Sequence, residues 1–300
     1  MTNKDITKIY FQGNEIVALY KGDTLIFKKS GGGSTTEPTG VYKIKGTVTK
    51  GSGYTQFNLS YNKGQTVNVK VNKDLTFETD LQEPLTNANA MFRDMSYLET
   101  LDLNGLDTSQ VTNMLNMFSQ SNYLKDIKLS GFNTSKVKIM TGMFRGCRNL
   151  TSLDLSSFDT SNVMYMSSMF MNCSGLTSLD LSSFDTSNVM NMQYMFGWCD
   201  TLVNLYINFD TSNVTDYDYF NSIFIRDEKL ENVVGKFEGA KVNLDLSYCP
   251  LTAASAMVFI NGLATVTETR TLKLSATTYD SLTNEQIAIA TSKGWTVTRN

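Results

Sequence analysis

The sequence contains no histidine, only three prolines and four cysteines. Histidine is the usual general base near neutral pH and the commonest metal ligand, so its absence removes the most frequent catalytic and metal-binding chemistries. No phosphate-binding loop, nucleophile elbow or cluster of metal-ligand type is present in the sequence. We therefore predict a protein that is not an enzyme and that has no catalytic, metal or cofactor site.

Charge excess and long apolar runs are also lacking. The net charge is −3 with both signs interspersed, whereas a nucleic-acid surface shows a basic patch. No run of eighteen apolar residues exists, and residues 1–30 lack the apolar core of a secretory signal. We expect no nucleic-acid partner, no membrane span and no visible export signal.

A unit of 26 residues is present in five copies, from Met91 to about Asp210. Its Met-Phe pair begins at positions 91, 117, 143, 169 and 195. A fixed period of this length is typical of a solenoid, in which each unit buries its apolar face only by stacking on its neighbours.

Each unit combines two apolar patterns. The first, L-x-x-L-x-L, ends in a period-two alternation that predicts a short strand, as in Leu150, Leu153 and Leu155. The second, V-x-x-M-x-x-M-F, predicts one face of a helix, as from Val163 to Phe170. The segment DTSNV between them predicts the start of that helix. The predicted fold is an α/β repeat solenoid whose strands form a parallel sheet.

Thirteen of the fifteen methionines lie in the repeats, where they follow the apolar period. A methionine stripe can mark a promiscuous binding surface, but this periodicity favours a buried core. Cys147, Cys173 and Cys199 share one repeat position, and no C-x-x-C spacing is present. We predict a column of buried thiols in a reducing compartment, with disulfides as the alternative. Cys249 lies outside this column.

The segment MFMNCSGLTSLDLSSFDTSNV, from Met169 to Val189, resembles the BspA-like leucine-rich repeats of bacterial surface proteins and mycoplasma-type lipoproteins. The resemblance implies a leucine-rich-repeat fold and adhesion to host or bacterial surfaces. It implies no catalytic residues. Some units depart from the motif, with Asn133 in place of the aspartate and Lys136 in place of the asparagine. The array is expected to end near Val234.

Two segments precede the repeats and a linker joins them. Residues 1–29 predict three short strands that resemble small N-terminal modules of tail- and head-attached proteins of gut (crAss-like) bacteriophages. That resemblance implies an anchor to other virion proteins, and a generic mini-domain is the alternative. Residues 30–40 predict a flexible linker. Residues 41–84 predict a small antiparallel sheet that closes the solenoid, or a carbohydrate site if Tyr42, Tyr54 and Tyr61 are exposed.

The repeats themselves occupy 85–236, and residues 237–300 follow them. This last segment predicts a helix near 253–263, a strand at 269–275, a helix near 284–293 and a final strand WTVTR. It resembles the end found after BspA-like repeats in phage and bacterial surface proteins. We predict an α/β C-terminal cap, with Gly294 ending the last helix.

One outward strand position varies from unit to unit while the core positions stay constant. It is occupied by Asp102, Lys128, Asp154, Asp180 and Tyr206. A calcium-binding column is one interpretation of the aspartates, but Lys128 and Tyr206 interrupt it, which favours a solvated face. We predict partner contact at Lys128, Asp154, Asp180 and Tyr206, with Tyr206 as the main anchor because aromatic residues dominate binding energy at interfaces.

These observations predict a non-enzymatic structural protein of a phage virion, a tail or head appendage or fibre. It would display the repeats for recognition of a host cell-surface protein or glycan. A bacterial cell-surface adhesin is the alternative. Expected partners are other virion proteins through residues 1–29 and further copies of the chain.

Overall fold

The computed structural model describes residues 7–11, 14–21, 24–29, 43–48, 56–62, 65–72, 76–81, 84–216, 220 and 222–300. The first three strands are β1 (Thr7–Phe11), β2 (Asn14–Lys21) and β3 (Thr24–Lys29). They form an antiparallel sheet in the order β1-β2-β3. The prediction of three strands in this segment is confirmed, and the linker at 30–40 lies outside the described residues.

The next four strands precede the repeats. They are β4 (Lys43–Val48), β5 (Gln56–Tyr61), β6 (Gln65–Lys70) and β7 (Thr76–Asp80). Strands β5 and β6 pair with each other, whereas β4 lies between β7 and the first repeat strand, antiparallel to both. The segment is therefore hydrogen-bonded to the first unit. Of the three candidate sugar-stacking tyrosines, Tyr61 is buried, so it lacks the exposure that the alternative carbohydrate site requires. Tyr42 and Tyr54 lie outside the described residues.

The repeat strands pair in parallel, one unit to the next. They are β8 (Leu98–Asp102), β9 (Asp126–Lys128), β10 (Ser178–Leu181), β11 (Asn204–Asp210) and β12 (Asn232–Glu238). Equivalent residues face each other, for example Leu101 with Ile127 and Leu179 with Leu205. Residues 151–155 of the third unit contain no strand, so the predicted continuous sheet is divided into β7-β4-β8-β9 and β10-β11-β12.

The helix predicted in each unit is wrong: the described V-x-x-M-x-x-M-F segments are series of turns. In the second unit, the amides of Met117, Ser119 and Ser121 donate to carbonyls three residues earlier. The intervening amides of Asn116, Phe118 and Gln120 donate to carbonyls of the next unit. A helix is about 10 Å wide, whereas parallel strands are about 4.8 Å apart. Flat turns can follow the strand spacing in an uncurved stack, whereas a helix on every unit would spread the units apart on that side and curve the stack.

The turns require left-handed backbone at two positions per unit. Positive φ recurs at Ala90, Asn116, Gly142, Ser168, Tyr194 and Ser222, and again four residues later at Asp94, Gln120, Gly146, Asn172, Trp198 and Arg226. Ten of these twelve residues are not glycine, although L-residues disfavour this region. The bonds to both neighbouring units hold them there.

Columns of like residues fill the core between the strands and the turns. The phenylalanine rings of successive units stack with centroids 5.3–5.9 Å apart, from Phe92 through Phe118, Phe144, Phe170 and Phe196 to Phe224. The methionines beside them, such as Met166 and Met169, are fully buried. The prediction that the methionine stripe forms core is confirmed at these positions.

The segment DTSNV joins units instead of starting a helix. Its threonine is buried and donates to a carbonyl of the next unit, as from Thr160 Oγ1 to the Asp185 oxygen at 2.9 Å. Its asparagine donates to the preceding unit, as from Asn188 Nδ2 to the Ser161 oxygen at 2.8 Å. Its aspartate accepts from the serine two residues on. Each unit is thus tied to both neighbours by side chains as well as backbone.

The C-terminal segment contains real helices. Its elements are β13 (Leu244–Leu246), α1 (Ala253–Gly262), β14 (Arg270–Leu274), α2 (Ala276–Asp280), α3 (Asn284–Ser292) and β15 (Trp295–Arg299). Strands β13, β14 and β15 are parallel and in that order. The predicted helices and strands are confirmed, and α2 was not predicted. Gly294 follows α3 with φ +89°, as its predicted role requires.

Candidate recognition surface

The outward side of strands β10, β11 and β12 forms a surface that we call the strand face. Alternation of side chains buries Leu179, Leu205 and Val233 and turns their neighbours to solvent. The backbone register then places Asp180 beside Tyr206, and Tyr206 beside Val234. The strand face therefore carries a carboxylate, a phenol and an aliphatic side chain in one row.

Tyr206 lies in the middle of this row. It is 40% exposed, and Val234 on its far side is 53% exposed. A second row runs parallel to it, where Asn232 Nδ2 donates to Asn204 Oδ1 at 3.0 Å. An exposed aromatic ring beside amide and carboxylate groups, all held on paired strands, combines an apolar contact with fixed hydrogen-bonding groups.

Asp180 and Asp154 have a local role in addition to their exposure. Asp180 Oδ1 accepts from the Ser182 hydroxyl at 2.6 Å and from the Ser182 amide at 2.9 Å. Asp154 makes the same pair of bonds with Ser156. The serine hydroxyl, followed by the serine amide, lowers the pKa of each carboxyl. Both groups are thus ionised at neutral pH, and each stabilises the turn that leaves its strand position.

The four predicted contact residues do not form one patch. Asp180 and Tyr206 are adjacent, whereas Lys128 lies in the other sheet beside Asp102. Asp154 belongs to the unit without a strand, between the two sheets. A neighbouring outward position carries an ion pair across units, with Lys125 Nζ 2.6 Å from Glu99 Oε1.

The sequence analysis did not identify the row partners on β12. Val234 and Asn232 stand 28 residues after their counterparts in β11, not 26, because the fifth unit contains an insertion. The apolar residues Val233 and Phe237, which are an even number of positions apart and are both buried in β12, are the signal that could have placed this strand in the array. With it, the column of outward residues would have extended past Tyr206.

A second exposed ladder lies in the turn segments. Single parallel bridges connect Asn113, Ile139, Tyr165 and Asn191 in succession. Tyr165 is 37% exposed and Met190 is 38% exposed. The sequence analysis missed this ladder because it predicted a helix here. Tyr165 provides an internal comparison for Tyr206, since the two phenols are similarly exposed on different ladders.

No group of three or more cysteine, aspartate or glutamate side chains is arranged to hold a metal ion in the part of the chain that the structure describes. No helix among those residues is both long enough and apolar enough to cross a membrane.

The described architecture, stacked 26-residue units joined by backbone and side-chain ladders, defines a repeat protein. Comparison with protein families gives its membership: the chain belongs to the family described as "Mycoplasma protein of unknown function, DUF285", whose model matches residues 86–206 and 175–248. These matches together cover more than half of the chain. Membership supports a BspA-like repeat protein and contains no information on bacteriophages. No curated protein and no solved structure matches the chain.

Proposed function

We propose that the stacked units form a solenoid whose strand face binds a protein or glycan of a cell surface, without catalysis. The observation that carries this proposal is the contrast between the two sides of the strands. The inward row of Leu179, Leu205 and Val233 stays aliphatic, while the outward row beside it changes from Asp180 to Tyr206 to Val234. A stack needs a constant core, but its outward chemistry is free to suit a partner.

The proposed setting is a phage virion, as a tail or head appendage, and the alternative is a bacterial cell surface. Residues 1–29 are the proposed attachment to other virion proteins. The three strands β1–β3 in this segment support that role because so small a sheet is marginal alone and gains stability from a partner. Assembly of several copies through this segment would multiply weak surface contacts.

Replacement of Tyr206 by alanine tests the strand face. The phenol is the largest exposed side chain of the row, and loss of an aromatic anchor typically costs about 2 kcal/mol or more of binding energy. We expect attachment to host cells, or to isolated surface glycan, to weaken by at least tenfold at unchanged thermal stability.

Tyr165→Ala is the matched control, since it removes an equally exposed phenol from the turn ladder. Equal attachment by both variants and the parent would remove recognition from the strand face. A loss confined to Tyr165→Ala would assign recognition to the turn ladder.

Deletion of residues 1–29 separates attachment to the particle from recognition of the cell surface. The shortened chain should bind cells but no longer copurify with particles.

A further inference from the structure

Asp227 is a buried carboxyl group in the unit that follows the fifth one, between Cys199 of the fifth unit and Cys249 of the C-terminal segment. It is fully buried, and its Oδ1 accepts from the Cys199 amide at 3.0 Å. Its Oδ2 is also buried and has no hydrogen-bond partner. No salt bridge among the described residues includes it. A charged carboxylate in this position would be costly, because the Cys199 amide compensates only one of its oxygens and no cation among the described residues pairs with it.

The position of Asp227 in the stack explains what its second oxygen could do. It occupies the repeat position of Ser121, Cys147, Cys173 and Cys199. Each of those side chains donates to the phenylalanine carbonyl of the preceding unit, at 2.6 Å for the hydroxyl and 3.1 Å for the thiols. Cys249, next in the stack, points to the Phe224 carbonyl at 3.9 Å. Asp227 differs from these residues because an ionised carboxylate has no proton to donate.

The carbonyl that Asp227 should meet belongs to Phe196. The Cys199 amide donates to the Phe196 oxygen at 3.1 Å and to Asp227 Oδ1 at 3.0 Å, so the carboxyl and this carbonyl lie beside one N–H group. An ionised Asp227 carboxylate and the Phe196 carbonyl oxygen would repel each other, because neither has a proton to share. A protonated carboxyl supplies that proton and completes the series of donors.

We propose that Asp227 is a neutral carboxylic acid whose Oδ2–H donates to the Phe196 carbonyl, and that loss of this proton loosens the contact between the fifth unit and the unit that follows it. The stability of this contact therefore depends on pH. The contact involves neither the strand face nor a receptor, so its test does not depend on the proposed function.

One of the neighbouring titratable groups, Asp200, reinforces the neutral form. Cys199 and Asp200 face Asp227 from the preceding unit, and Cys249 faces it from the following one. Burial first, with Asp200 as a smaller contributor, raises the pKa of Asp227 well above the ordinary value, against the lowering effect of the Cys199 amide. The stabilisation is therefore complete below the unfolded-state pKa, about 4, and is lost as pH rises through the folded-state pKa.

Asp227→Asn is the decisive variant. An asparagine can donate from Nδ2 to the Phe196 carbonyl and accept the Cys199 amide through Oδ1 with no proton to lose. Urea unfolding of parent and variant should be compared from pH 4.5 to 7.5, below the usual titration range of thiols. We expect the parent to lose stability relative to the variant as pH rises. The ratio of their unfolding constants should grow by up to about tenfold per pH unit within the titration window.

Asp185→Asn is the matched control because it removes an exposed carboxyl, and Asn133 already makes the equivalent turn bond to Ser135. Its unfolding should follow the parent at every pH. Infrared spectroscopy supplies a second readout: the band of a protonated carboxyl should be present in the parent at pH 6 and absent from Asp227→Asn. A pH-independent ratio of unfolding constants, or absence of that band in the folded parent, would overturn the proposal. If Asp227→Asn fails to fold, the infrared band alone decides: a protonated carboxyl in both the parent and Asp185→Asn supports the proposal, and its absence from both overturns it.

Discussion

The repeat units and the C-terminal segment return the chain to a parallel strand by different routes. In the repeats the return consists of turns whose alternate amides donate to the next unit. After β13 and β14, the return consists of helices, α1 over Ala253–Gly262 and α3 over Asn284–Ser292. Both routes place strands in register, as Leu179 faces Leu205 and Leu244 faces Leu272.

The difference teaches how such a stack can end. A turn segment leaves half of its amides directed at a neighbour, so every unit built this way requires another unit. The interior backbone groups of a helix bond to each other, and side chains can accept hydrogen bonds from the free amides of its first turn. Thr283 and Gln286 do so reciprocally for α3. Exchanging turns for helices therefore removes the need for a further unit, and the following predictions test this contrast.

The largest expected effect is from Met169→Asp in the repeats. The side chain is fully buried between units, so the substitution creates a cavity and buries an unpaired charge. We expect a loss of at least about 4 kcal/mol in the free energy of unfolding, measured by urea denaturation. Met190→Asp, which alters a side chain that is 38% exposed, is the control and should cost far less. Equal losses for the two variants would mean that the methionine column is not a core.

A smaller effect is expected when one side-chain link between units is cut. Thr186 Oγ1 donates to the Asp210 carbonyl at 2.9 Å and accepts the Asp210 amide at 2.8 Å. Thr186→Val keeps the shape and removes both bonds, at a cost of about 2 kcal/mol. Thr186→Ser should retain most of the stability because it keeps the hydroxyl. Thermal unfolding of the three proteins checks this, and a valine variant as stable as the serine variant would contradict it.

In the C-terminal segment the corresponding link is within one helix. Thr283→Ala removes the cap of α3 and should cost about 1 kcal/mol. Because the Thr283 hydroxyl bonds to Gln286 of the same helix and to no repeat unit among the described residues, hydrogen exchange should increase in α3 and stay unchanged in the repeats. Thr283→Asp should preserve the cap. Faster exchange throughout the repeats would show that the helix does not end the stack in the way described above.

The smallest effect is a gain. Ser168 has φ +56°, and the equivalent position of the preceding unit is Gly142 with φ +61°. Ser168→Gly relieves the strain of a left-handed L-residue and should stabilise the chain by about 0.5 kcal/mol. Ser152→Gly, at an exposed position without positive φ, should not stabilise it. A raised melting midpoint for the second variant but not the first would refute this interpretation of the turns.

The period and the core were predictable from the sequence, because burial repeats with the spacing of leucine, methionine and phenylalanine. The turns were not. Residues such as Met166, Met169 and Phe170 lie three or four apart in either a helix or a series of overlapping turns, so apolar spacing alone does not separate the two. The recurring Gly142 and Gly146, four apart, are the local signal for left-handed backbone, but other units carry serine, asparagine or aromatic residues there.

The candidate surface was predictable only in part. Outward alternation identified Asp180 and Tyr206, which are neighbours in the structure. The position of Lys128 on a separate sheet depends on the missing strand at 151–155, although Leu150, Leu153 and Leu155 follow the same pattern as the other units. The position of Asp227 in the column of Cys147, Cys173 and Cys199 was not predicted, because Asp227 follows Cys199 by 28 residues and the cysteines are 26 apart.

The bonding of the turns is mostly in one direction, which gives the stack an electrical direction. In the turn segments most amides that leave the unit point toward the C-terminal end, as those of Asn116 and Phe118 do, whereas a few, such as that of Lys138, donate to the preceding unit. The dipoles of the majority add along the stack, as they do along a helix, and leave partial negative charge on the N-terminal end. The preceding hairpin meets that end with a donor, the Asn62 amide, at 2.8 Å from the Asn87 carbonyl. The two ends of the array are therefore not interchangeable, because the segments that cover them meet partial charges of opposite sign.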